Sequence, residues 1–117
     1  MEDDLSLLAA VRRVDMEGIK RHLAADPDSI AEADEFGNNA MHICVLGRAS
    51  LRAPHLMQFL LQNTSVNLLR PNHGGMDPLE LAIATEDFAG AEMIEPYAHQ
   101  QLDRRALDSV GAPLDSA

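Results

Sequence analysis

The chain has 117 residues, 46% of them hydrophobic and 3% aromatic, which suits one folded unit and excludes global disorder. With no Trp and one Tyr, the core has to be assembled from Leu, Ala, Ile, Val and Met, the stock of packed helices, so the expected class is all-α. A formal charge of −10 opposes binding to a phosphate backbone or an anionic lipid surface, which leaves a protein partner, a basic one included, or plain solubility as its meaning.

The start, Met1-Glu2-Asp3-Asp4, lacks the basic opening of a secretory signal, and no apolar run approaches the about 18 residues that span a bilayer, so a cytoplasmic protein is expected. From Asp4 to Val14, Leu5, Leu8, Ala9 and Val11 recur at helical spacing, and Arg12 and Arg13 close the helix where cations suit its dipole or can pair with Glu2 or Asp3. Asp15 is placed to cap a second helix through about Ala25, striped by Met16, Ile19 and Leu23 and stopped at Asp26-Pro27-Asp28. A polar connection ends at Asp34-Glu35-Phe36-Gly37-Asn38, where Gly37 can supply the positive φ of a tight turn. Asn39 then caps a helix over Ala40 to about Gly47 that points Met41, Cys44 and Val45 inward.

Cys44 is the only cysteine, so no internal disulfide can form and a reducing compartment fits. Arg48 to Pro54 reads as an inserted loop. Leu56, Met57, Phe59, Leu60 and Leu61 crowd the next helix, which is expected to be the most buried element. The third cycle opens with a turn at Asn72-His73-Gly74-Gly75, a cap at Asp77 and Pro78 at the first helical position. Its partner helix spans Phe88 to Glu95. Pro96 is expected to end it, with a further short helix over 98–108 that uses Leu102 and Leu107 as contacts, and 111–117 as a flexible tail.

These cycles share a register. Asp34 pairs with Asn72, Gly37 with Gly75, Asn39 with Asp77, Met41 with Leu79 and Cys44 with Ala82, while Leu7 and Ala10 fill the last two columns of the first cycle. The column Leu8, His42, Glu80 advances by 34 and then 38 residues, and the excess falls in the inserted segment. Asn39-Ala40-Met41-His42-Ile43-Cys44 and Asp77-Pro78-Leu79-Glu80-Leu81-Ala82 are similar to the T-P-L-H-x-A pattern of the ankyrin-repeat family, whose unit of about 33 residues is a turn plus two helices. The resemblance covers residues 5–96. It implies a solenoid of stacked helix-turn-helix pairs, repeats at about 5–33, 34–71 and 72–96 with a C-terminal capping helix at 98–108, as one domain over 1–110. A closed helical bundle is the alternative.

The same resemblance implies protein recognition through the concave face and the turn tips, as an adaptor, regulator or targeting subunit. Carried over by register, the partner-binding positions are Arg12, Arg13, Glu35, Phe36, Asn38, Leu46, His73, Met76 and Thr85. Phe36, an aromatic on a turn tip, is either an interface anchor or a local staple against the next helix. The inserted segment is a second candidate surface. An inhibitor or immunity-type protein that lays its acidic surface over a basic active site is the alternative function, and an enzyme a remote one. His42 stands where the family carries a structural His that bonds turn backbone. The other histidines show no i, i+4 pairing for a metal, and Cys44 fills a small-residue column where a buried thiol is expected. The serines sit in no G-x-S-x-G elbow, and Gly74-Gly75 lacks the lysine of a phosphate loop, so no catalytic, cofactor or metal residue is assigned.

Overall fold

The computed structural model describes residues 6–115, with side chains described as far as Arg105. Leu5, and the Glu2 and Asp3 considered as partners for the arginines, lie outside the described residues. Ser6 opens the first helix by accepting the backbone N–H of Ala9, and α1 (Leu7–Arg13) buries Leu7 through Val11. Val14 turns the chain in the left-handed region, and the Asp15 carboxylate then accepts Gly18 N–H to start α2 (Met16–Ala25). A turn of 3-10 helix (Pro27–Ala31) follows, with Pro27 at its first position where the missing N–H costs nothing.

Asn39 and Asp77 cap α3 (Ala40–Leu46) and α6 (Pro78–Ala84) in the same way. Each side chain accepts an N–H of the first turn, and the residue at the third helical position, His42 or Glu80, reaches back to the cap's own N–H. Between them lie α4 (Ala49–Arg52) and α5 (Pro54–Asn63), and α7 (Phe88–Asp115) follows α6. Among the described residues there is no strand. The fold is all-helical. Helices pair along the chain, α1 with α2 and α6 with α7, and the shorter helices α1, α3 and α6 lie side by side.

The chain repeats itself in backbone as well as in side chains. The only non-glycine residues with positive φ among those described are Val14 (56°), Arg48 (58°) and Glu86 (61°), each seven residues after Leu7, Met41 and Leu79 of one sequence column. Gly37 (81°) and Gly75 (85°) occupy equal places in the two turns.

Four expectations need correction. The segment Arg48 to Pro54 is not an open loop: its middle forms α4, whose Ala49 and Ser50 are buried, because small side chains let it lie close against α5 and α7. The most enclosed element is α3, buried from Ala40 to Val45, since α1 covers one flank and α6 the other, whereas α5 leaves its polar side open. Pro96 does not end a helix, and no separate helix begins at 98. Ile94, Tyr97, Ala98 and Gln101 make one continuous inward stripe, with Ile94 and Ala98 in the core and Gln101 bonded to Val66 and Leu68, and that packing carries α7 through an exposed proline. Leu102 is 53% exposed and lies off the stripe, Leu107 has no described side chain, and the helical backbone runs to Asp115 through the expected tail.

Segment 64–77 crosses back without regular structure, yet Val66 and Leu68 are buried. Gln101 clamps it: its Oε1 accepts Leu68 N–H at 2.8 Å and its Nε2 donates to the Val66 carbonyl at 2.8 Å. The Asn39 amide donates to the Asn67 carbonyl at 2.8 Å, so the cap of α3 also anchors the return strap.

Candidate functional site

Two turn tips project from the helices and are built alike. Asp34 Oδ1 accepts the N–H groups of Phe36 (2.8 Å) and Asn38 (2.9 Å), and Asn72 Oδ1 accepts those of Gly74 (2.9 Å) and Met76 (3.1 Å). The tips are joined by His73 N–H donating to the Phe36 carbonyl (2.9 Å) and the Asn72 amide donating to Asn38 Oδ1 (2.9 Å). Partial burial pushes the Asp34 carboxyl upward, but the backbone N–H groups of Asn38 and Phe36, the Asn38 amide and the Arg12 guanidinium outweigh it and hold the group below its usual 3.8. The His73 ring lies over Gly37, where a Cβ would stand 2.6 Å from its Cδ2.

This arrangement leaves Glu35, Phe36 and His73 exposed together on one rigid rim, Phe36 at 61%. Phe36 is therefore no staple against the next helix. Asn38 is not available: it is buried, with its amide spent between Asp34 and Asn72. Met76 is half-buried against the core, and its carbonyl accepts both His42 and Asn72. Thr85 is half-buried too, with its hydroxyl on the Leu81 carbonyl at 2.8 Å and its own carbonyl held by Arg48. Sequence register marked these positions as facing outward, but register carries no information on which polar groups the turns consume.

Arg12 and Leu46 meet elsewhere, at a groove between α1 and α3 with a volume of about 240 Å³. Val11, Ile43 and Leu56 line its inside, and Arg12, half-exposed and 3.1 Å from Asp34, stands on one side. The far end is made by α4, whose Ala49 and Arg52 line the groove, with Arg52 steadied on the Gly47 carbonyl at 3.3 Å. Arg13 is not part of it and lies 3.9 Å from Asp15. Arg52 was not singled out from the sequence, although it lies in the inserted segment; only the folding of that segment into a helix brings it to Arg12's groove.

His42, Cys44 and Asp87 are enclosed. His42 is fully buried: Asn39 N–H points at its Nδ1 (3.0 Å), so Nε2 carries the proton and donates to the Met76 carbonyl at 2.8 Å. Burial lowers its pKa below 6.5 against the opposing pull of that carbonyl, which keeps the ring neutral. Burial pushes the Cys44 thiol up to about 12, far from the thiolate a nucleophile needs. Asp87 is buried with Oδ1 accepting from Ser50 Oγ (2.6 Å) and Gly90 N–H (3.0 Å), a joint between α4 and α7. Among the described residues no group of three or more His, Cys, Asp or Glu could hold a metal ion, and no helix is long and apolar enough to cross a membrane. No family model matches the chain, and no curated protein matches it.

Proposed function

We propose that this chain is an ankyrin-type solenoid that binds a partner protein, acting as an adaptor, regulator or targeting subunit, and that its contacts come from the turn tips and from the side of α1 and α3 that carries Arg12 and Leu46. The observation that carries this reading is Phe36. A large aromatic ring left 61% exposed costs solubility, and here it stands on a tip whose backbone is tied at five points by Asp34, Asn38 and His73. A ring held this way meets a partner with little ordering cost, the condition under which an aromatic becomes an interface anchor. Binding rather than catalysis is supported by the enclosure of His42 and Cys44, which keeps that imidazole and the chain's one thiol away from any substrate. Capture of partners from native lysate by the wild-type chain, Phe36→Ala and Arg12→Ala/Arg13→Ala tests it. The expected result is loss of one specific partner with Phe36→Ala; identical capture by all three removes these residues from the site.

A further inference from the structure

We propose that the outer flank of α6, with the adjoining start of α7, is a docking surface for a basic amphipathic helix of a partner protein. The first argument compares three residues of one sequence column: Val11, Val45 and Ile83 stand four residues after Leu7, Met41 and Leu79. Val11 is 2% exposed and lines the space between α1 and α3, and Val45 is 1% exposed in α3, which packs on α6 at its other flank. Among the described residues the row of short helices ends at α6, and there Ile83 is 53% exposed. The column is covered where another short helix follows and bare where none does. The neighbouring turn agrees. Met16 and Phe88 each follow an aspartate, Asp15 or Asp87, that accepts the N–H three residues on, yet Met16 packs against the core while Phe88 is 61% exposed. The last member of a stacked row keeps a polar outer side for solubility, so two large apolar side chains at this end mark a face built to be covered.

The second argument concerns the shape of the occupant. Among the described residues there is no sheet edge for an extended segment to join, so a partner has to meet this face with side chains. A helix already does so twice in the molecule, α3 against α1 and α6 against α3. The third argument is charge. From Pro71 to Asp103 the chain has no Lys or Arg. Exposed Glu80 is three residues before Ile83 on α6 and exposed Glu92 four after Phe88 on α7, spacings that place each carboxylate beside the apolar group on the helix surface. Glu86, exposed as well, lies in the turn between them. Arg48 reaches this turn from the other side, and its guanidinium is held on the Thr85 carbonyl at 3.0 Å. Local charge and the formal charge of −10 have the same sign, so a basic helix is drawn to the molecule and held at this face. A second copy would set the same carboxylates against these.

The test uses the full chain and a fluorescently labelled peptide of about 18 residues, long enough to form a helix. It carries leucines at i, i+4 and i+7, lysines flanking that stripe and alanine elsewhere, and binding is read by anisotropy at low and high ionic strength. One comparison peptide has glutamates for the lysines; another has the same composition with the leucines scattered around the helix. The lysine peptide is expected to bind, more weakly as salt rises, and each comparison peptide at least about tenfold more weakly. Ile83→Ser and Phe88→Ser, both at exposed positions, should each weaken binding at least about tenfold with unchanged circular dichroism. Glu92→Lys should weaken it about threefold and flatten its salt dependence. No binding of the lysine peptide, equal binding of the scattered-leucine peptide, or binding untouched by both serine variants overturns the proposal, and the peptide comparison decides on the wild-type chain alone. Sedimentation that shows a dimer of the free chain abolished by Ile83→Ser would assign the face to a second copy and overturn it too. Phe36→Ala should leave peptide binding unchanged, because Ile83 lies at the end of α6 away from the turn tips; loss of binding with Phe36→Ala would move the peptide to the tip and overturn the proposal, while failure of the α6 face alone leaves the turn-tip reading standing.

Discussion

Glu86 shows at a single residue what the backbone of this chain demands. Its φ of 61° is a conformation that a residue with a Cβ adopts at a cost of about 1–2 kcal/mol, and its side chain is exposed. Glu86→Gly is expected to raise stability by about 1 kcal/mol, the left-handed strain removed less the entropy that glycine adds to the unfolded chain, read as a higher urea midpoint with unchanged slope. A glycine that cannot be replaced stands four residues on. The Asp87 carboxylate accepts Gly90 N–H, and an added Cβ at Gly90 would meet Asp87 Oδ2 at 2.6 Å. Gly90→Ala should therefore destabilise by about 1–2 kcal/mol, despite alanine's better helix propensity, because it displaces a buried cap. In an Asp87→Ala background the same change should be nearly neutral; additive losses in the double-mutant cycle would show that the two residues do not interact. Asp15 was legible as a helix opener because cap preference is local. The need for Gly18 and Gly90 was not, since it comes from where each carboxylate points after folding.

Among the elements, legibility followed the strength of the apolar repeat. α1, α2 and α3 announce themselves through caps and stripes, and their boundaries fall within a few residues of those expected. α4 was invisible because it is held by small residues and polar joints whose partners lie far along the chain, Ser50 to Asp87 being the clearest. Ser50→Ala leaves the buried Asp87 carboxylate short of a donor and is expected to cost about 1–3 kcal/mol in chemical denaturation. A loss near zero would mean that α4 is not fastened there. α7 was misread for the opposite reason: Pro96 is a strong local signal that distant packing overrides. Ile94 and Ala98 are buried, and Gln101 holds the strap at Val66 and Leu68, so the contacts that extend the helix are long-range. Pro96 is exposed and removes one backbone hydrogen bond from the helix. Pro96→Ala should stabilise by about 1–3 kcal/mol, seen as a rise in thermal midpoint. A fall would mean that the proline shapes the helix to fit the strap.

At the scale of the whole molecule, sequence register located the turn tips and one wall of the groove but could not say which side chains remain free. Asn38 and Asn72 look alike in sequence to any exposed turn residue, yet the bond between them joins one turn to the next. His42 makes a second joint of the same kind. It bridges its own helix cap at Asn39 and the carbonyl of Met76, 34 residues on, so its protonation state bears on the coupling between α3 and the turn before α6 and not on one helix alone. The folded chain holds the ring neutral, with burial as the main cause, and Asn39 N–H occupies the lone pair that a second proton would need. The unfolded chain takes up that proton near the ordinary imidazole value of 6.5. Stability from this site is thus complete above pH 6.5 and declines as pH falls below it, because there the unfolded state binds more protons than the folded one. The urea midpoint of the wild-type chain is expected to fall between about pH 7.5 and pH 5.5, within the range where histidine titrates, while the His42 ring resonances in the folded chain titrate below the ordinary imidazole value. His42 resonances that titrate at or above 6.5 would instead show that the ring accepts its second proton without disturbing the joint, and would remove this site from the acid sensitivity of the fold.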